Sequence, residues 1–350
     1  METITGNLKE RWEALKSETP HLRIKNAAEQ LGVTEAELLV TRVGEGVRCL
    51  TSDFQAILKE VAALGKVMAL TRNNEVVHER KGVYLNPELE NPHVGLFVGE
   101  DIDLRIFFAS WKYAFAVVEN GRKSIQFFGK DGIAIHKIFL TEDSNEAAYK
   151  QLVNRFLNET QFDTITVEAS PEKAAEKSDS EIDVEGFQKA WEDLQDTHHF
   201  FGMLRKYGVS RTQVLRLAPQ SDRFAVKVAN TACRRILEEA SKENAEIMVF
   251  VGNPGMIQIH TGPVNKVVEA RGWYNVLDPD FNLHILDSAI TDTWVVRKPT
   301  ADGMVTALEC FNAEGEQIVQ LFGKRKPGIP ELALWRTIVE RVENELEITQ

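Results

Sequence analysis

The chain has 350 residues, 53 acidic against 41 basic side chains, and a formal net charge of −12. That length allows two ordinary domains or one duplicated unit, and the acidic balance argues against general nucleic-acid binding, which needs a basic footprint. No stretch approaches the ~20 apolar residues needed to cross a bilayer, so the chain is not expected to be membrane-embedded.

The polar start METITGNLKERWEALK lacks the basic-then-apolar order of a secretion signal. Its spacing predicts a helix over residues 8–17. A second helical stretch, 26–41, overlaps RIKNAAEQLGVTEAELL, whose A-x-x-L-G-V pattern occurs at helix-turn-helix corners. Two short helices meeting at a glycine turn explain it equally well, and no basic cluster follows to read DNA. Another helix is expected over 53–64. From Lys66 the pattern turns strand-like: KVMALTRN, EVVHERKG, HVGLFVGE, DIDLRIFFASW, YAFAVVEN, KSIQFFGK and AIHKIFL. The pairs Asn73-Asn74, Asn120-Gly121 and Asp131-Gly132 punctuate these runs at hairpin spacing. Connections this short exclude parallel crossovers, so the meander is antiparallel. A helix over 146–157 closes this half.

Residues 166–186, TVEASPEKAAEKSDSEIDVEG, have the composition of a linker. The expected division is a first repeat over 1–170, a charged linker over 171–186 with the boundary near Ala175, and a second repeat over 187–350. Three collinear matches support duplication: DIDLRI with DFNLHI at an offset of 179 residues, VMALTRN…His78 with IMVFVGN…His260 at 182, and QFFGK with QLFGK at 194. The fold class is therefore α+β, an internal duplication with two large antiparallel β-sheets, each packed with helices. Cys49, Cys233 and Cys310 lie far apart and are odd in number, which points to reduced thiols in a cytoplasmic protein rather than a zinc site.

The stretch WEDLQDTHHFFGMLRKYGVSR, Trp191 to Arg211, carries the most specific chemistry. It reads as one amphipathic helix in which Trp191, Leu194, His198, Phe201 and Leu204 share a face, with Gly208 as its stop. By phase His198 faces the sheet of the second repeat and His199 faces solvent. On that phase Asp196, two residues away on a helix, is a poor partner for the His198 ring. A helix over a sheet leaves a slot suited to a flat apolar ligand. Nucleophile-elbow, zinc-protease and Walker A signatures are all missing. Adjacent histidines cannot grip one bare metal from a helix, whereas an iron already held by four macrocycle nitrogens needs only one axial histidine. Arg211, Lys298, Lys324, Arg325 and Lys326 could meet a dicarboxylate ligand, and Arg105 points away from Leu104 and Ile106 in an otherwise apolar strand.

The segments DLRIFF, DTHHFFGMLRKYGVSRTQVLRLAP, DTWVVRKPT and IVQLFGKRKPG resemble the cytoplasmic haem-transport and haemin-degrading factor family of bacterial haem-uptake systems. The resemblance covers essentially the whole chain. It implies one haem b (iron protoporphyrin IX) against the C-terminal sheet, with His198 as proximal iron ligand and His199 as an alternative. It implies Arg105 at the distal face, and Arg211 and Lys298 near the propionates. Gln320 and Arg325 also line the site, and Phe322 stands where some relatives carry tyrosine. A distal guanidinium stays protonated and cannot bind iron, but it can orient a bound oxygen species. The duplication raises a second haem site at His78; the plain reading is a meander histidine.

The functional expectation is a cytoplasmic protein that accepts imported haem from an inner-membrane importer. It would pass that haem to a haem-degrading or haem-using protein. The alternative is an enzyme that opens the porphyrin with dioxygen and a reductant. A DNA-binding regulator using residues 26–41 is the minor alternative.

Overall fold

In the computed structural model, residues 7–169, 175–326 and 328–348 are described. Part of the predicted linker, residues 170–174, lies outside them. The first half runs α1 (Leu8–Glu18), α2 (Ile24–Leu31), α3 (Glu35–Val40), β1 (Val47–Leu50), α4 (Phe54–Glu60), β2 (Gly65–Arg72), β3 (Val76–Gly82) and β4 (Pro87–Glu88). It continues β5 (Val94–Val98), β6 (Asp103–Phe107), β7 (Trp111–Glu119), β8 (Arg122–Gly129), β9 (Ala134–Ser144) and α5 (Glu146–Arg155). The second half runs α6 (Val184–Glu192), α7 (His199–Tyr207), α8 (Gln213–Arg216), β10 (Ala225–Val228), α9 (Ala232–Lys242), β11 (Ile247–Asn253), β12 (Met256–Gly262) and β13 (Val267–Ala270). It closes with β14 (Trp273–Leu277), β15 (Phe281–Ile285), β16 (Asp292–Thr300), β17 (Gly303–Phe311), β18 (Gln317–Gly323) and α10 (Ala333–Leu346).

The strands form two nine-stranded sheets, ordered β1-β7-β8-β9-β2-β3-β15-β14-β13 and β10-β16-β17-β18-β11-β12-β6-β5-β4. Advancing β1 to β9 by nine turns the first six positions of one sheet into those of the other, which is the topology of a duplication. The last three positions are exchanged between the repeats.

Two compact units follow from this. One comprises Met1–Arg72, Glu79–Pro171 and the borrowed segment Asn253–Gln258; the other comprises Glu172–Gly252, Ile259–Gln350 and the borrowed Asn73–His78. The exchanged segments have no counterpart in the contiguous division drawn from composition. Within the first unit, Gly255 accepts hydrogen bonds from the Trp111 indole (3.0 Å) and the Phe107 amide (3.0 Å), and the Asn253 side chain donates to the carbonyls of Arg72 and Ile135. Within the second, the Asn73 side chain donates to Ile318 (2.8 Å), and the Leu286 amide donates to Glu75. Each borrowed segment is thus fastened by its backbone carbonyls and by an asparagine at its start.

Helices cover the apolar faces. In the first unit, Ile57 and Leu58 of α4 and Leu152 and Val153 of α5 pack on Val67, Ala116, Ile125 and Ile138. In the second, α9 and α10 place Ile236, Leu237, Trp335 and Val339 against Val249, Val295, Leu308 and Leu321. The residue 26–41 stretch is two helices meeting at Gly32, whose φ of +67° is the left-handed stop glycine allows. Ala36, Leu38, Leu39 and Val40 of α3 are buried, and its acidic Glu35 is paired with Lys137 in the interior. α3 therefore has no basic face to place in a DNA groove. At the β7–β8 hairpin Asn120 and Gly121 both take positive φ, as a two-residue primed turn requires. Cys49, Cys233 and Cys310 are free and buried.

The first unit also buries a polar relay. His136 shares hydrogen bonds with the Thr71 hydroxyl at Nδ1 (2.8 Å) and the Tyr84 hydroxyl at Nε2 (2.6 Å). A neutral ring donates at one nitrogen and accepts at the other, so it serves both hydroxyls. Burial pushes the His136 pKa down to about 3. Between pH 6.5 and 3 the unfolded chain then binds a proton that the native ring refuses, so stability falls as pH falls. Urea unfolding should lose roughly 2 kcal/mol between pH 7 and pH 5 from this one group. A His136→Gln variant should lack that part of the slope; an identical slope in both proteins would contradict the assignment.

Candidate functional site

The segment from Trp191 to Arg211 differs from the continuous helix its periodicity predicts. α6 ends at Glu192, and the chain turns through 193–198 before α7 begins with His198 as N-cap residue. Asp196 causes the restart: its Oδ1 accepts the His198 backbone N–H (2.8 Å), the kind of local bond that makes Asp favour helix starts over helix interiors. The break resets the phase. Phe200, Met203 and Leu204 are buried, while Phe201 is 56 % exposed. Trp191 and Leu194 remain in the core beside Phe200. His198 and His199 are both exposed, so the expectation that His198 faces inward is corrected. Gly208 ends α7 in the left-handed conformation, as expected.

The ring of His198 is nevertheless fixed. Its Nδ1 lies 2.6 Å from the same Asp196 oxygen, and its side chain is 85 % exposed. The helical argument against Asp196 as partner fails because residue 196 precedes the helix. The His198 backbone N–H, opposed by partial burial and reinforced by the imidazole, holds the Asp196 carboxyl below the usual carboxylate range. An ionised Asp196 takes the proton-bearing Nδ1, which leaves the Nε2 lone pair of the exposed ring free to bind a metal.

Beneath α7 the sheet supplies a buried ionic cluster. The register sets Trp294, Glu309, Gln320 and Phe250 side by side across β16, β17, β18 and β11, with Val296, Ala307, Phe322 and Met248 in the next row. These residues share one face, the opposite one to that covered by α9 and α10. Glu309, fully buried, accepts from Lys298 Nζ (2.8 Å) and Gln320 Nε2 (3.1 Å), and pairs through its other oxygen with Arg211. Burial alone would raise the Glu309 pKa, but Arg211 and Lys298 outweigh it and hold the group below its usual value. Burial pushes Lys298 down against the attraction of Glu309. Arg211 lies among Phe200 (5.3 Å), Phe201 (5.8 Å) and Phe311 (5.7 Å), and Lys298 Nζ is 4.3 Å from the centre of the Phe200 ring. Further along this face Phe322 meets Phe250 at 4.9 Å, and these two and Met248 are only half-buried. They form an apolar strip.

The site residues expected from the sequence are therefore distributed as follows. Arg211, Lys298 and Gln320 converge on one carboxylate, with His198, His199 and Phe322 in the same unit. Arg325 follows β18 within electrostatic reach of Glu331 rather than Glu309. Arg105 belongs to the other unit, on β6, where it pairs with Asp103 while Leu104 and Ile106 point into the core. His78 is fully buried with its ring tilted against Phe281 at 5.0 Å, which makes it a core histidine with no face for a porphyrin. Two participants escaped the sequence reading, Phe200 and Glu309, and a third, Asp196, was weighed there and set aside. A Glu inside GMVTALECF, on the face of Val305, Ala307 and Phe311, is the signal that singled out Arg105, and it was equally available here.

Two repeats of this α+β plan, the second carrying an exposed imidazole on α7 and a half-buried apolar strip on its sheet, define a duplicated two-sheet class of protein. Comparison with known proteins supplies the family. The chain matches the haemin-degrading HemS.ChuX domain over residues 32–156 and 208–342 and belongs to that family. It is 36 % identical to the hemin transport protein HemS of Yersinia enterocolitica over 98 % of this chain and 99 % of that one. The holo form of PhuS, a heme-binding protein from Pseudomonas aeruginosa, is 43 % identical with a TM-score of 0.93, covering 96 % of this chain and 98 % of that one. ChuS, described as an E. coli heme oxygenase, is 36 % identical with a TM-score of 0.86, covering 96 % and 99 %. Among the described residues, no helix is long and apolar enough to cross a membrane.

The tautomer assignment is testable without ligand. Nitrogen-15 NMR should find His198 as the Nδ1–H tautomer in the parent protein, and Asp196→Ala should move it toward the Nε2–H form preferred by an unconstrained histidine side chain. A His198 tautomer insensitive to residue 196 would remove the orienting role of the carboxylate.

Proposed function

We propose that this protein binds one haem through His198 and carries it between an inner-membrane importer and a haem-degrading or haem-using acceptor in the cytoplasm. The observation that carries the reading is the His198 ring: Nδ1 held by Asp196, Nε2 left free to bind a metal. An axial histidine of haem commonly donates its second N–H to a carboxylate or carbonyl, which orients the ring and raises its basicity. Met248, Phe250 and Phe322 offer apolar contact for the macrocycle. Arg211 and Lys298 bring two positive charges to one buried carboxylate, leaving a positive surplus suited to propionates. His199 lacks the carboxylate that orients its neighbour, so it serves as the secondary ligand. For Arg105 the role proposed, on the D-L-R-I-F resemblance, is to orient an oxygen species that haem would bind.

Purified protein should take up hemin saturably with a one-to-one endpoint. His198→Ala should weaken binding and change the resting ferric spectrum, and Asp196→Ala should weaken it by about 10–100-fold. No saturable change, or an unchanged His198→Ala spectrum, would defeat the proposal. Arg105→Ala should alter the ferric pH titration more than the affinity.

A second reading, porphyrin opening, is favoured by the heme oxygenase description of ChuS. The haem would then be substrate. Its test is holo-protein supplied with oxygen, a physiological electron donor and catalase. Carriage predicts a persistent Soret band; degradation predicts its loss with stoichiometric product.

A further inference from the structure

We infer that Glu309 is the positioning residue for the ligand end of α7: its buried carboxylate holds Lys298 and Arg211 against the Phe200 ring, and so fixes where His198 stands. The consequence for iron rests on the reading of His198 as haem ligand, while the positioning itself does not.

The chain of contacts is short. Phe200 follows His198 by two residues and is the first buried side chain of α7, seated edge-on against Trp191 at 4.9 Å. Trp191 is itself tied to the sheet by its indole N–H, which donates to the Arg297 carbonyl (3.0 Å). On its other side Phe200 meets two cations, Lys298 and Arg211, and both reach it while paired with Glu309. Arg211 arrives from the loop that follows α7, Lys298 from β16, and Glu309 and Gln320 from β17 and β18. One carboxylate therefore ties together three sheet strands and the chain beyond α7. Two like charges cannot share so small a buried space without it. Arg211 leaves Nε and Nη1 buried without hydrogen-bond partners, so its salt bridge and its aromatic contacts are what hold it. Within α7 itself Gly202 has open space around its Cβ position and contributes no packing. The turn's own hydrogen bonds are local, from His199 N–H to Asp196 and Phe200 N–H to Thr197, so its side-chain seating on the sheet falls to Phe200.

When Glu309 loses its charge, Lys298 and Arg211 repel, the guanidinium leaves for solvent, and the first turn of α7 loosens. His198 and His199 are adjacent and both exposed, so a loosened turn lets either reach the iron. Glu309 in this view selects between two ligands that composition cannot distinguish.

The test has a haem-free arm and a haem arm, using full-length protein. Hydrogen–deuterium exchange of residues 199–207 without haem should be about tenfold faster in Glu309→Gln, as expected when a buried charge loses its partner. Exchange in α9 and α10 should be unchanged. With hemin, transfer to apomyoglobin should also quicken about tenfold. Adding His199→Ala should then change the ferric spectrum of Glu309→Gln while leaving that of the parent unaltered. Glu309→Asp keeps the charge with a shorter reach; it should give intermediate values, and it decides the matter if Glu309→Gln does not fold. Parent-like exchange of 199–207 in the folded variant overturns the inference. A His198→Ala variant with a parent-like haem spectrum overturns the proposed function instead, and the exchange arm still decides the role of Glu309.

Discussion

A single buried carboxylate, Glu309, organises the sheet face beneath α7 in the second repeat. Its two cations come from different elements, and an uncompensated charge in that position would cost several kcal/mol. The arrangement costs desolvation of three ionised groups, which a set of well-packed apolar side chains would avoid. What it provides is directional: a salt bridge, a lysine contact and an amide hydrogen bond fix Arg211, Lys298 and Gln320 at defined places on one sheet face. Apolar packing of Phe200, Trp191 and Phe311 surrounds the cluster, excludes water and strengthens each electrostatic contact.

The second organising feature is the exchange of chain between repeats. Each unit contains six residues taken from the other half of the sequence. A duplicated domain whose copies each kept their own hairpins would produce the same composition and the same periodicity. Exchange makes the halves interdependent, because the carbonyl of Gly255 completes the Trp111 environment and Asn73 completes that of Ile318. His78 and His260, equivalent by the repeat offset, both lie against Phe281, one tilted and one stacked at 3.7 Å. Their likeness comes from shared ancestry of the strands and carries core packing.

Much of this was legible from residues alone. Strand alternation, turn dipeptides such as Asn120-Gly121 and the repeat offsets gave the α+β duplication, because these signals are local and repeat along the chain. The motif D-T-H-H-F-F, with S-R-T-Q-V-L-R-L-A-P after it, gave the family and hence His198. The helical phase argument also pointed to His198, but it assumed one helix, whereas Asp196 competes with the backbone and breaks it. Asp196-Thr197 before an apolar run is itself a helix-start signal, outweighed here by the longer periodicity from Trp191 to Leu204.

The amino-acid order by itself determined the elements, the duplication and the chemical types available near the histidine pair, since each depends on neighbours within a few residues or on repeated spacing. Only the tertiary structure decided that Arg211, Lys298 and Gln320 meet at Glu309, that Asp196 orients His198, and that His78 is sealed in the core. Those outcomes depend on strand register and on residues about 100 apart in the chain, such as Arg211 and Glu309, being brought within bonding distance. A contact of that kind leaves no periodic trace in either partner's own neighbourhood.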